Sequence, residues 1–406
     1  MKRKREPDAS SGGYAGYSPS REGERVPVLD ASEVSGERFY GEYVLKRRPV
    51  VFDGHLAEEN WRIPEAWSLD YLKRNVGNAR ASVEYRETLE HGFGKGNRVE
   101  MKFRDFLEEL ERGNERLYCT SQDTKDGKLF TSPLAELHGL GDFPVRPKLA
   151  SGLIPANLSL WMGSSSSPSS SGLHHDYHDN LYILIEGTKD FTLYSPAHAR
   201  AMRTHGAIER VHPNGLISYR GHETHADGTT DFQRKSAEAK ARVAEAERVL
   251  HSLEAAPEST PAAIERAEAA LDEALDADLS FAADEASGEE DGSGGGGGSE
   301  EGGGEGPPRN FSRLGEGDEE GVKAKCMAME VTLSAGQMLY LPCGWFHNVK
   351  SRSGAGPQEA PYHLAFNYWF YPPDNIDGSG GGDSGRPYKH GARQILWDLV
   401  QKHNLC

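Results

Sequence analysis

Leu173-His-His-Asp-Tyr-His-Asp-Asn180 carries three histidines and two aspartates in eight residues. In an extended strand, side chains two apart point to the same face. His174 and Asp176 therefore offer one imidazole nitrogen and one carboxylate oxygen to a common side. A second histidine arriving from another strand would complete a two-His-one-carboxylate facial triad. Such a triad leaves coordination positions open and suits non-haem Fe(II) and oxygen chemistry. The candidate is His347, at the end of Gly336-Gln-Met-Leu-Tyr-Leu-Pro-Cys-Gly-Trp-Phe-His347. There an apolar strand meets a Pro-Cys-Gly turn, and the next strand opens on Trp345-Phe346-His347. Singly, each part is ordinary: H-x-D arises by chance, and a histidine among aromatics is commonly a satisfied core residue. The combination carries the reading, with His175 and His178 expected off the metal.

Around this stretch the chain reads as β-rich. Short apolar runs at Pro49–Phe52, Leu117–Thr120, Leu158–Trp161, Asn180–Ile185 and Asp190–Tyr194 are separated by Gly, Pro and Ser. This spacing suggests an all-β sandwich or barrel. Strand signals resume at Ala328–Leu333, Met338–Leu341, Trp345–Val349 and His363–Phe370. Two short helices are expected, one behind a Ser68 cap and one from Phe103 to Leu110 with Phe106, Leu107 and Leu110 on one stripe. The Glu186-Gly187 turn should fold a hairpin that returns Lys189 towards the metal strand. A cation there would suit the distal carboxylate of a dicarboxylic co-substrate. Otherwise Lys189 is an ordinary exposed lysine.

The 406-residue chain has a net charge of −17, unevenly spread. Asp231 to Lys325 holds 24 acidic and 10 basic residues, a net of 14 negative charges, which leaves 3 for everything else. The acidity thus belongs to an insertion at 229–325. Residues 233–254, and a run capped by Thr260-Pro261 with Ile264, Ala267, Leu271 and Leu275, have helical spacing and should form an αα-hairpin. Beyond Phe281 the chain becomes Gly- and Glu-rich to about 306, the composition of a flexible linker. The insertion reads as a tolerated loop that interrupts one domain between neighbouring strands, or as a partner-docking arm. Residues 1–25 read as a disordered basic and polar tail. The β domain then comprises 26–228 and 326–406. An amphipathic helix at Ala392–Gln401 closes it, suited to dimerisation or to packing on its own domain.

Four scattered cysteines without a C-x-x-C pair argue against a disulfide framework and against structural zinc. The N-terminus has no apolar stretch for a signal peptide, and no run of apolar residues is long enough to span a membrane. The expected location is cytoplasm and/or nucleus. Lys2–Arg5 reads either as a nuclear signal or as solvated terminal charge. The near-neutral remainder does not favour nucleic acid as a partner, and no membrane partner is expected.

The segments Trp161–Pro196, Leu339–Val349 and Asn367-Tyr-Trp369 resemble the JmjC oxygenases of the cupin superfamily. They look closest to the small single-domain hydroxylases grouped around factor-inhibiting HIF and the JmjC lysyl hydroxylases. The resemblance covers roughly 26–225 and 326–405, and 229–325 is extra to it. It implies a mainly β fold with flanking helices around a double-stranded β-helix (jelly-roll) core. It implies iron ligation by His174, Asp176 and His347, and 2-oxoglutarate binding by Lys189 and Tyr118. The family's asparagine after the aspartate falls on Asn180, its Ser/Thr before the first ligand on Ser171, and the asparagine of its last core strand on Asn367.

The implied cofactors are Fe(II), 2-oxoglutarate as co-substrate, and O2. The implied activity is hydroxylation of a side chain on a protein or peptide substrate. The same iron site would serve N-methyl-lysine demethylation, although no zinc-finger spacing or chromatin-reading domain accompanies it. A non-catalytic cupin acting as a scaffold through its acidic arm is the reading from another class. A homodimer through the C-terminal helix remains open.

Overall fold

Val, Leu, Ile and aromatic residues run almost unbroken through the central strands because both of their faces are covered. The computed structural model describes residues 13–88, 96–121, 128–256, 258–287, 307–354, 360–376 and 387–389. Its strands begin with β1 (Val28–Asp30), β2 (Val50–Asp53), β3 (Arg80–Tyr85), β4 (Asn97–Lys102), β5 (Leu117–Thr120) and β6 (Pro155–Gly163). Next come β7 (Ser169–Ser170), β8 (His174–His175), β9 (Asp179–Glu186), β10 (Thr188–Tyr194), β11 (Ile208–Val211) and β12 (Ile217–Tyr219). After the insertion follow β13 (Met329–Ser334), β14 (Gln337–Leu341), β15 (Phe346–Arg352) and β16 (His363–Phe370).

Nine of these strands form one sheet in the order β1-β2-β14-β9-β16-β6-β5-β3-β4. A second sheet runs β13-β10-β15-β7, with β8 also paired to β15. Period-two alternation divides the large sheet into two faces. Leu181, Ile183, Met338, Tyr340, Phe366 and Tyr368 point to a core shared with the helices Leu69–Val76 and Phe103–Glu111. Tyr182, Leu184, Leu339, Leu341 and Ala365 point the other way, to Phe191, Leu193, Met329 and Leu333 of the second sheet. The Tyr182 and Phe191 rings meet edge-on at 5.3 Å across this layer. The result is a jelly-roll core, mainly β with flanking helices.

The two expected helices form as read. Ser68 Oγ accepts the Tyr71 N–H at the first N-terminus, and Phe103, Phe106, Leu107 and Leu110 bury the stripe of the second. In the acidic region, helices Asp231–Ala255 and Pro261–Ser287 pack on each other, the first capped by a Thr230–Gln233 capping box. A third helix, Glu316–Lys325, follows.

Three readings are corrected. Glu186-Gly187 does not close a hairpin, because β9 and β10 belong to different sheets. It is a corner instead, where Gly187 takes φ +85° and a Cβ would lie 2.6 Å from the Arg352 carbonyl oxygen. The strands flanking the insertion, β12 and β13, likewise lie in different sheets. The N-terminal tail is shorter than 1–25: Ala15 N–H bonds the Pro213 carbonyl, Tyr17 stacks on buried Trp345, and Arg48 lies over the Tyr17 ring. Tyr17 and Tyr14, whose hydroxyl donates to the Tyr17 and Arg47 carbonyls, supply enough apolar surface to order that polar stretch. The Lys2–Arg5 run, the Gly/Glu stretch at 288–306 and the proposed Ala392–Gln401 helix lie outside the described residues.

Candidate metal centre

His174 on β8 and His347 on β15 are register partners across an antiparallel pair, and their ring centroids are 4.3 Å apart. The same register opposes His175 to Phe346. Asp176 follows β8 directly. Its carboxylate oxygens lie 3.8 Å from His174 Nε2 and 3.4 Å from His347 Nε2. One ligand atom from each of the three residues falls within 4.8 Å of the others.

The remaining ring nitrogens fix the tautomers. His174 Nδ1 donates to the Gly172 carbonyl at 2.9 Å, and His347 Nδ1 donates to the Trp345 carbonyl at 3.0 Å. A carbonyl can only accept, so both Nε2 lone pairs are left free towards Asp176. Burial, with His347 adding to it, pushes the His174 pKa down to about 4 and keeps the ring neutral, the form that binds metal. His175 lies off the cluster. It is fully buried, bonds the Asp176 carbonyl through Nδ1, and accepts the Tyr219 hydroxyl at 2.7 Å. His178 lines the cavity but is not in the cluster.

The turn that delivers His347 is locked. Gly344 N–H donates to the Asp176 carbonyl at 2.9 Å. Its φ is +74°, and a Cβ there would meet the Gly215 carbonyl oxygen at 1.8 Å, so only glycine fits. Beneath it, buried Asp179 accepts Cys343 N–H at 2.9 Å, the Tyr340 hydroxyl at 2.6 Å and the fork of buried Arg47. The Arg47 carbonyl in turn accepts Trp345 Nε1–H. This network was not read from the sequence.

The cluster opens into a cavity of about 190 Å3 between the sheets, room for more than a single water. Every residue assigned by resemblance lines it: Ser171, His174, Asp176, Asn180, Lys189, Tyr118, His347 and Asn367. Lys189 is buried, not exposed. It reaches the cavity from β10, so the correction to the hairpin leaves its position at the site intact. Its Nζ donates to Ser351 Oγ at 2.6 Å and to His363 Nδ1 at 3.2 Å, and no carboxylate pairs with it among the described residues. Burial pushes its pKa down to about 7.

A buried cation without an anion is costly, so an anionic ligand fits here. Tyr118 is also buried, and desolvation raises its pKa, keeping the phenol a neutral donor. Asn367 Nδ2 donates to Asn180 Oδ1 at 2.9 Å. Asn367 Oδ1 and Trp161 Nε1 are buried at the same cavity and find no partner among the described residues. Ser171 accepts Val349 N–H through its Oγ, clamping the loop before β8 to β15.

Ser351 and His363, the two residues that hold Lys189, were missed. Ser351 was within reach of the strand rule: it lies four residues after His347, on the same face of one strand, and in register with Lys189. His363 carried no local signal.

A jelly roll with a His-Asp-His cluster facing the space between its sheets defines a cupin with a candidate metal site. The model of the Cupin-like domain family matches residues 36–376. JmjC domain-containing protein 4 of Schizosaccharomyces pombe is 32% identical over 90% of this chain and 88% of its own length. JmjC domain-containing protein E of Dictyostelium discoideum is 27% identical over 39% of this chain and 49% of its own. The human bifunctional peptidase and (3S)-lysyl hydroxylase JMJD7 is 27% identical over 42% of this chain and 55% of its own. The chain belongs to the cupin-like JmjC family. No helix among the described residues is long and apolar enough to cross a membrane.

Proposed function

We propose that this chain is an Fe(II)- and 2-oxoglutarate-dependent dioxygenase that hydroxylates a side chain of a protein substrate. The observation that carries the reading is the meeting of two free Nε2 atoms and one carboxylate at a cavity that also holds a buried lysine with no carboxylate partner among the described residues. The JmjC family generally uses Fe(II) and 2-oxoglutarate, and one relative is named a lysyl hydroxylase. The donor set of two imidazoles and one carboxylate is the one that suits such iron.

In this reading His174, Asp176 and His347 hold the metal. Lys189, kept charged by its ligand and oriented by Ser351 and His363, takes the distal carboxylate of 2-oxoglutarate, and Tyr118 donates beside it. Asn180, Asn367 and Ser171 line the same space and shape it. Leu339, Leu341, Phe191 and Val349 give the cavity apolar walls, and a less polar surrounding strengthens each of these charge contacts. When bound, iron with 2-oxoglutarate and O2 supplies oxidation of an unactivated C–H bond, coupled to formation of succinate and CO2.

The test is capture of proteins on the chain loaded with an inert 2-oxoglutarate analogue, then incubation of the captured substrate with Fe(II) and 2-oxoglutarate. Mass spectrometry of the substrate should record the gain of one oxygen together with succinate release. Loss of a methyl would instead mark N-methyl-lysine demethylation, and absence of any iron-dependent 2-oxoglutarate turnover would leave a binding protein.

A further inference from the structure

Arg309–Arg313, in the last part of the acidic insertion, runs along the edge of β8 that β15 leaves free. His174 forms a β-bridge to His347 on one side and to Phe311 on the other. Ser312 N–H donates to the Leu173 carbonyl at 2.8 Å, and Asn310 Nδ2 donates to the His175 carbonyl at 2.6 Å. On its far side the run is bonded as well: His205 N–H reaches the Phe311 carbonyl at 2.8 Å, and Arg313 N–H reaches the Arg203 carbonyl at 2.9 Å. The two-residue strand carrying the first metal ligand is therefore held from both edges. One of those edges comes from chain that composition alone assigns to a tolerated loop.

The side chain in register with His174 is aromatic. The Phe311 ring stacks on the imidazole with centroids 4.7 Å apart and planes inclined by 10°, and both rings line the cavity. A histidine ring turns broadly about χ2. Two contacts remove that freedom here: the Nδ1 bond to Gly172 fixes one edge, and the Phe311 face fixes the plane.

We infer that Phe311 is a positioning residue for the metal ligand His174, and that the return strand of the insertion is a built part of the metal centre. The inference rests on the metal-centre reading above. Groups that orient a metal-bound histidine set metal affinity, and their loss costs about 10- to 100-fold.

The test titrates the metal-free full chain with cobalt(II), followed by visible absorption, in wild type, Phe311→Ala, Phe311→Leu and Phe311→Tyr. Melting of each metal-free variant is measured alongside. Phe311→Leu keeps apolar bulk without a ring and guards against a misfolded alanine variant. The expected result is cobalt(II) affinity lowered on the order of tenfold in the alanine and leucine variants, and restored in the tyrosine variant. Unchanged affinity in Phe311→Leu, or a lower melting temperature with unchanged affinity, would overturn the inference while leaving the metal centre standing. A wild-type chain that takes up no cobalt(II) would bring down the metal-centre reading itself, and this inference with it.

Discussion

His174 and His347 face each other across an antiparallel pair and use the same local device. Each donates Nδ1–H to the carbonyl two residues before it, Gly172 and Trp345. The repetition leaves both Nε2 atoms bare and aims them at Asp176. The protein thus turns two imidazole Nε2 atoms and the Asp176 side chain towards one point before any ligand arrives, which lowers the cost of assembling the centre.

Lys189 separates ligand binding from stability. A charge-assisted hydrogen bond contributes about 1.5–3 kcal/mol, so Lys189→Ala should weaken 2-oxoglutarate binding on the order of 10- to 100-fold. Lys189→Met should do the same while raising the melting temperature of the ligand-free chain, because it removes a buried cation that no carboxylate among the described residues neutralises. Calorimetric titration and thermal melting on the same samples check both signs. A methionine variant with full affinity would contradict the assignment.

The same lysine predicts a pH dependence. Burial holds its pKa at about 7 in the folded chain, below the 10.5 of the unfolded one. Between those values the unfolded chain binds more protons, so the ligand-free protein gains stability as pH rises from about 7 to about 10.5, and that gain is absent below 7. Binding of 2-oxoglutarate makes the opposite demand, since it requires the ammonium. Above about pH 7 binding should therefore take up a proton and weaken as pH rises. Titrations at about pH 8 in buffers of different ionisation heat should show proton uptake in wild type and none in Lys189→Met.

Arg47 and Asp179 form a buried ion pair beneath the turn that carries His347. Removing one partner strands a charge, so Asp179→Ala should destabilise the fold by about 3–5 kcal/mol. The double change Arg47→Met, Asp179→Leu should lose less, because no charge is left unpaired. Urea unfolding of the three proteins decides the order, and a double variant worse than the single one would refute it.

What the sequence disclosed and what it hid have physical causes. His174, Asp176 and His347 were legible because strand alternation and a Pro-Cys-Gly turn are local and short-range. Lys189 was found with the wrong geometry around it. An Glu-Gly turn has the same local chemistry whether it closes a hairpin or carries the chain from one sheet to another, and sheet membership is decided at long range. Tyr14 and Tyr17 order a segment whose remaining residues are polar, so its composition misleads. Arg309–Arg313 has no apolar alternation and pairs through isolated bridges and single hydrogen bonds, leaving no periodic signal to read. Arg47 meets Asp179 from 132 residues away, a contact that no window along the chain contains.

The central claim is that His174, Asp176 and His347 share one metal ion. The most direct measurement is equilibrium binding of Fe(II), or of cobalt(II) in its place, to the metal-free wild type and to His174→Ala, Asp176→Ala and His347→Ala. The expected result is one ion per wild-type chain and loss of tight binding in each of the three variants, with iron-dependent succinate release lost alongside. Tight stoichiometric binding that survives His347→Ala would contradict it.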